Sequence, residues 1–394
     1  MIRGENDIQV IGCRFCFYMK RKWITILTIV SVLLGLWGCG FDDVNTFIDA
    51  QVAKSQIGEP EAVESISGDK YVYGTLSEEE QLTYDQLLHA ILAMDTNVPL
   101  TTKSVDEVDK VYNCILADYG ELFWISGYSY QTYQRQDRVI GISFTPTYTM
   151  TRETREAYQR DIDGVVDEWL MELPDGASDY EKAKFVYETI ISRVDYDIES
   201  PNNQNIISVF LNHATVCQGY ADAAAYLLSR LGIQSSIVTG TANNESHAWN
   251  LVRLDGEYYY MDITWGNSRY LNADATEGNM TNYAYLNITG EEIAQTHRSE
   301  VVYELPECTA IADNYYNREG LYFAVWDPDE IGAVFADAYY NGADIVSVKF
   351  AGNDLYQQAV DYYLTQGRFI DYCRDLRSLA YIESPEMSVL TFMF

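Results

Sequence analysis

The chain has 394 residues, of which 47% are hydrophobic and 14% aromatic. This composition excludes a disordered chain and provides enough apolar material for two or three domains. The 59 acidic residues outnumber the 26 basic ones and give a formal charge of −33 at pH 7. Such a charge argues against nucleic acid or an anionic membrane surface as a partner.

The first feature along the chain is a targeting signal. Met19 is followed by three basic residues, 20–22. The apolar run after them is about as long as the core of a signal peptide and too short to span a membrane. It ends at Cys39 in a pattern that resembles the lipobox of bacterial lipoproteins. We therefore predict a mis-assigned start over 1–18, a signal peptide over 19–38 and an extracytoplasmic protein anchored in the membrane by a lipid on Cys39. A plain signal peptide with an incidental cysteine is the alternative.

The next two segments are predicted to be a tether and a first domain. Residues 39–70 are polar and acidic, without a sustained hydrophobic period, which predicts an acidic tether. An N-terminal α+β domain is expected over 71–175, and Ser77 with Glu80 forms the capping box of its first long helix. The sequence assigns this domain no chemistry.

Two further α+β segments follow. The segment 176–295 opens with a helix capped by Ser178 and is predicted to contain the catalytic site. Its later elements are a short apolar helix, a helix ended by a glycine, a strand and a hairpin, over 206–211, 217–232, 235–240 and 248–265. The segment 300–394 has the order β-α-β-α-β-β and predicts a small C-terminal α+β domain.

Cys217 stands at the predicted start of a helix. The unsatisfied N–H groups and the dipole at a helix N-terminus stabilise an anion, which favours a reactive thiolate. The same N–H groups can stabilise the oxyanion that forms when a thiolate attacks a carbonyl. The other interpretation is a buried cysteine that serves as a small core residue.

The hairpin brings a histidine and a carboxylate towards each other. With a two-residue turn at Asp255-Gly256, His247 faces Thr264 across the ladder, and Asp262 lies on the same face as His247. Diagonal neighbours of this kind are ~7–8 Å apart, within reach of an imidazole and a carboxylate. The two side chains share a face only if the turn has two residues. Each residue taken singly is also compatible with an exposed position.

The remaining histidines and cysteines carry weaker arguments. His89 and His297 are predicted to be structural or solvated, and His213 is predicted to lie on the loop that approaches Cys217. A metal site at His213 and Cys217 would need two further ligands, so we predict neither a metal nor a cofactor. The cysteines at 114, 308 and 373 are expected to be small buried residues, although a pairing of the last two is conceivable.

The motifs around Cys217, His247-Ala248-Trp249-Asn250 and Asp262-Ile263-Thr264-Trp265 closely resemble the transglutaminase-like superfamily, over about 178–270. The resemblance implies a papain-like α+β fold with Cys217 as nucleophile, His247 as base and Asp262 as its orienting partner. It also implies an oxyanion-hole amide upstream of the cysteine, and Gln204 stands at that position; a polar loop residue is the other interpretation.

Three functions remain open at this point. The first is a cysteine peptidase or amidase, in which water resolves a thioester formed on protein or peptide substrates. The second is a protein-glutamine transglutaminase, in which an amine takes the place of water. The third is a non-catalytic adhesion or scaffold lipoprotein that keeps the fold. We predict an active thiol enzyme that works by hydrolysis.

Overall fold

The computed structural model describes residues 41–267 and 280–394. The predicted start, signal peptide and lipidated Cys39 lie outside the described residues. Within those two ranges, every helix is too short or too polar to cross a membrane. The predicted mixture of helices and strands is confirmed.

The chain divides into two compact units. The first unit comprises the residues up to Leu116 together with Leu122–Arg160. The second unit comprises Ala117–Glu121 and Asp161–Phe394. The predicted catalytic segment 176–295 and the predicted C-terminal segment 300–394 therefore lie in the same compact unit.

The first unit places helices beside a three-stranded antiparallel sheet of order β1-β3-β2. Its helices and strands are α1 (Phe41–Ile57), α2 (Tyr71–Thr75), α3 (Glu78–Ala93), β1 (Val98–Leu100), α4 (Val105–Asp118), β2 (Ile125–Arg135), β3 (Arg138–Tyr148) and most of α5 (Arg152–Leu170). Helix α3 begins after Ser77, whose hydroxyl and the Glu80 carboxylate form the predicted capping box.

Helix α1 corrects the prediction of an acidic tether over 39–70. Asp49 is buried and pairs with Arg135 and Arg138 of the neighbouring hairpin, at 2.5 and 2.8 Å. Ala53 and Ile57 of the same helix approach Gly141 of β3, where a larger residue would collide with Ile57. The sequence argument failed because these contacts stabilise a helix whose own hydrophobic pattern is weak.

The second unit contains the predicted catalytic segment around a four-stranded antiparallel sheet of order β8-β7-β6-β9. Its elements up to residue 299 are α6 (Asp179–Arg193), β4 (Asp195–Tyr196), a π-helical turn (Ser208–Asn212), β5 (Ala214–Thr215), α7 (Cys217–Arg230), β6 (Ser235–Ala242), β7 (Glu245–Leu254), β8 (Glu257–Met261), α8 (Ile263–Gly266), α9 (Gly290–Ile293) and β9 (His297–Ser299).

Helix α7 lies closely against this sheet because small residues face it. Ala221 and Ala225 of the helix pack against Ile237 of β6 and Ala248 of β7 in one buried cluster. The Asn250 amide of β7 also donates a hydrogen bond of 2.9 Å to the carbonyl oxygen of Ala221. These contacts fix the first turn of α7 relative to β7.

The C-terminal segment has its own core and sheet. Its helices and strands are α10 (Tyr315–Arg318), β10 (Tyr322–Phe323), α11 (Pro328–Tyr340), β11 (Ile345–Phe350), α12 (Asn353–Ala359), β12 (Ala380–Ser384) and β13 (Val389–Met393). The longer elements follow the predicted order β-α-β-α-β-β, and the sheet order is β10-β11-β13-β12. Cys308 and Cys373 are buried free thiols, so the conceivable disulfide between them is absent.

Candidate active site

Cys217 is the first residue of α7 and is half-buried. The N-cap position is held by Val216, whose apolar side chain donates and accepts no capping hydrogen bond. In most helices a serine, threonine or aspartate side chain occupies the first-turn N–H groups. Here those groups have no side-chain cap, which suits a site that must stabilise a thiolate or an oxyanion.

Gly219 is required by the tight approach of the preceding strand. A Cβ at this position would collide with Thr215 Oγ1. The Thr215 hydroxyl donates to the Asn203 carbonyl oxygen at 2.9 Å, so it is fixed in place. The glycine two residues after Cys217 therefore lets the helix start directly against β5.

The side chains of His247 and Asp262 are in contact, and both are buried. His247 Nε2 lies 2.8 Å from Asp262 Oδ2, and the two residues are 7% and 0% exposed. This contact leaves Nδ1 of the ring free of Asp262, and Cys217 is a hydrogen-bonding and electrostatic partner of His247. The structure thus brings the three predicted residues together.

The route to this contact differs from the predicted one. The turn register is as expected, since Leu254 pairs with Glu257 and Asn250 with Met261. The second strand was predicted to reach Trp265, but β8 ends at Met261. Asp262 instead caps the short helix α8, and its Oδ1 accepts the Trp265 N–H at 3.1 Å. The cap turns the carboxylate towards His247, which a continuous strand would have held at a diagonal distance.

The two groups shift each other's pKa in opposite directions. Burial by itself would lower the pKa of His247, but the charge and hydrogen bond of Asp262, with a contribution from Cys217, raise it to about 10. Burial would raise the pKa of Asp262, but the charge and hydrogen bond of His247 hold it well below its usual range. An imidazolium beside a carboxylate is therefore the favoured state at neutral pH.

Gln204 lies beside the residues that precede the nucleophile. The neighbouring Asn203 carbonyl accepts hydrogen bonds from both Thr215 and the Val216 N–H, the latter at 3.4 Å. The Gln204 side chain is exposed, and its amide donates to Asn203 Oδ1 at 3.3 Å. Its role in an oxyanion hole stays a prediction.

His297 is a member of the site that the sequence argument missed. It was predicted to be structural or solvated, and the structure agrees with the first alternative. The side chain is 2% exposed, and its Nε2 lies 3.0 Å from the same Asp262 Oδ2. Its ring centroid is 5.2 Å from that of His247. No motif or spacing marked it, because it reaches the site through β9, which pairs with β6.

His247, Asp262 and His297 are also the one group of described residues whose donor atoms could hold a metal ion, with all three atoms within 4.8 Å of one another. Two imidazoles and a carboxylate suit zinc or non-haem iron. The separations of 2.8 and 3.0 Å are ordinary hydrogen-bond lengths, however. Hydrogen bonding accounts for the arrangement.

Comparisons with known proteins agree with the site. Residues 172–263 match the family model of the transglutaminase-like superfamily, a range that includes Cys217, His247 and Asp262 but not His297. This part of the chain is therefore similar to transglutaminase-like domains. The mouse (Mus musculus) kyphoscoliosis peptidase is 27% identical over an alignment of 111 residues that covers 24% of this chain. The match covers 17% of the mouse protein's length.

Two solved structures are similar in part. One is the crystal structure of a TGase, with 16% identity, coverage of 40% of this chain and 46% of that chain, and a TM-score of 0.26. The other is a Cytophaga hutchinsonii protein described as a putative cysteine protease, with 20% identity, coverage of 32% and 53%, and a TM-score of 0.24.

Proposed function

We propose that this protein is a thiol enzyme that acts on amide bonds of proteins or peptides through Cys217, His247 and Asp262. The observation that carries the proposal is the buried contact of 2.8 Å between His247 and Asp262, beside a cysteine that begins a helix without a side-chain cap. A nucleophile, a base and a group that orients the base are the parts of a triad.

The chemistry follows from these positions. The Cys217 thiolate attacks the carbonyl carbon, and the N–H groups of the first turn of α7 stabilise the oxyanion. The His247 imidazolium gives its proton to the leaving amine or ammonia as the C–N bond breaks, and a thioester remains. In the second half, His247 takes a proton from water as its oxygen attacks the thioester, and the thiolate leaves.

Hydrolysis is the outcome we propose, with transfer to an amine as the alternative. The matched part of the mouse relative belongs to a protein named a peptidase. The charge of −33 suits cationic peptide substrates, which would be attracted over long distances at low salt.

A single assay separates the two outcomes. The protein is incubated with a glutamine-containing peptide and a labelled primary amine, and Cys217→Ala serves as the control. Peptide cleavage or release of ammonia without label supports hydrolysis, and incorporation of the amine supports a transglutaminase. If the wild-type protein carries out neither reaction on a panel of peptides, the result supports the adhesion or scaffold alternative.

We also propose that the protein works outside the cytoplasm, anchored by a lipid on Cys39. The support is the basic and apolar sequence of residues 19–37 ahead of that cysteine. Cells that express the full chain should incorporate labelled palmitate into it, and Cys39→Ser should abolish the label. Equal labelling of the two proteins would contradict the lipid anchor.

A further inference from the structure

Asp262 is a carboxylate without access to water, so the protein itself must satisfy both of its oxygens. Oδ1 accepts the Trp265 N–H, and Oδ2 accepts from His247. The second contact of Oδ2 is with Nε2 of His297, at 3.0 Å. A triad needs one imidazole on its carboxylate, and this site has two.

The contacts of the His297 ring show that its Nε2 carries hydrogen. A nitrogen that faces a carboxylate oxygen must carry hydrogen, because two lone pairs would repel each other, so Nε2 is protonated. Nδ1 lies 2.7 Å from Thr296 Oγ1, and that hydroxyl can donate to it. Whichever group donates in the contact with Thr296, Nε2–H remains a donor to Asp262 Oδ2.

The surroundings hold this ring in one orientation. Its centroid is 4.9 Å from both Trp249 and Trp265, and all three side chains are buried. The strand that carries it lies close to β6 at Gly240, where a Cβ would collide with the Arg298 carbonyl oxygen. A donor that is locked by packing can orient its acceptor.

We propose that His297 is a positioning residue for the nucleophilic centre. Its Nε2–H occupies one side of Asp262 Oδ2, so the carboxylate stays ionised and presents the other side to His247 alone. The His247 ring is then held with Nδ1 towards Cys217. This inference rests on the proposed triad, and it extends the site from the matched segment to β9.

The test compares two substitutions of the same residue. His297→Phe keeps a ring among the tryptophans but removes the donor, and His297→Gln restores an N–H in its place. The measured quantity is the rate at which iodoacetamide alkylates Cys217 across pH 5–9. We expect His297→Phe to lower the neutral-pH rate about 10- to 100-fold, because a misplaced base disrupts the pair. His297→Gln should stay within about threefold of wild type, as should His89→Gln, a change of an exposed histidine on α3.

With a turned-over peptide, the loss in His297→Phe should fall on kcat and leave KM unchanged, because His297 is 2% exposed and makes its contact with Asp262. Equal losses in the Phe and Gln variants, with equal falls in Tm, would indicate a structural role only. A wild-type rate in folded His297→Phe would overturn the proposal. If Cys217 of the wild-type protein resists alkylation, the proposed enzyme function fails instead.

A second measurement needs no variant. The chain has four histidines, so the ¹⁵N signals of their imidazoles can be assigned individually by NMR. We expect His297 to carry its proton on Nε2 at neutral pH. A proton on Nδ1 with Nε2 bare would remove the donor to Asp262 and overturn the proposal.

Discussion

At the scale of the residue, the central feature is a carboxylate that gains its charge state from its partners. Asp262 is fully buried, and burial alone would favour the neutral acid. The contacts from two imidazoles and one backbone N–H reverse that preference. The charge of Asp262 in turn raises the pKa of His247 and favours its protonated form, which in the proposed mechanism gives a proton to the leaving amine.

Asp262→Asn should therefore lower kcat/KM by about 10²- to 10⁴-fold, because an amide holds the ring without stabilising the imidazolium. The rate of Cys217 alkylation at neutral pH should fall in parallel. Both rates are measured on the folded variant, as judged by circular dichroism.

Asp222→Asn is the matched control. Asp222 is a buried carboxyl on the helix that begins with Cys217, and it accepts the Gln218 amide at 2.7 Å. Burial raises the pKa of Asp222 well above its usual range, which favours the neutral form and lowers the cost of replacing the carboxyl with an amide of similar shape. We expect rates within about twofold of wild type. An equal loss in both variants would mean that burial, rather than the pairing with His247, explains the effect.

The raised pKa of His247 predicts the alkaline side of the pH profile. The imidazolium acts as general acid, so kcat/KM should stay high through pH 8 and fall as His247 loses its proton near pH 10. Asp262, with its lowered pKa, stays ionised on the acid side. The measurement is initial rate against pH from 5 to 11. A fall centred near the ordinary histidine value of about 6.5 would contradict the ion pair.

At the level of helices and strands, a few side-chain contacts determine where the helices pack. Ala221 and Ala225 let α7 approach the sheet, and the Asn250 amide fixes the first turn through the Ala221 carbonyl. In the first unit, the polar helix α1 depends on Asp49 and its two arginine partners. Such contacts order elements whose intrinsic helix propensity would leave them marginal.

Asp49→Ala should lower the free energy of unfolding of the first unit by about 1–2 kcal/mol, because it breaks two ion pairs at a buried carboxylate, one of which is a charge-assisted hydrogen bond from Arg135. Denaturant unfolding followed by circular dichroism measures the change. Lys54 lies on the same helix as Asp49, and Lys54→Ala removes an exposed ion pair with Glu59. It should lower the free energy of unfolding by about 0.5 kcal/mol or less. A similar cost for both variants would contradict the docking role of Asp49.

At the scale of the whole molecule, the dominant property is charge. A net charge of −33 produces self-repulsion that opposes the compact state. The Debye length shrinks from ~30 Å at 0.01 M salt to ~3 Å at 1 M, so salt should screen this repulsion.

We expect the Tm at pH 7 to rise by several degrees, about 1–2 kcal/mol of stability, between 0.01 and 0.5 M sodium chloride. Thermal unfolding by calorimetry measures the shift. Near the sequence pI of about 4.3 the salt effect should largely vanish, which provides the internal control. A Tm that falls with salt at pH 7 would show that local ion pairs outweigh the net repulsion.

The sequence by itself determined the local features of this protein. The capping boxes at Ser77 and Ser178, the start of α7 at Cys217 and the register at the Asp255-Gly256 turn all depend on residues within a few positions of one another. Side-chain caps and two-residue turns act over that range, so a single chain is enough to predict them.

Features that depend on contacts distant in sequence came from the folded structure. It ended β8 at Met261, used Asp262 as the cap of α8 and docked α1 through Asp49. It also brought His297 to a carboxylate 35 residues away, because β9 pairs with β6 and faces the same interior. Contacts of this range depend on strand order and packing, which leave no periodic signal in the sequence.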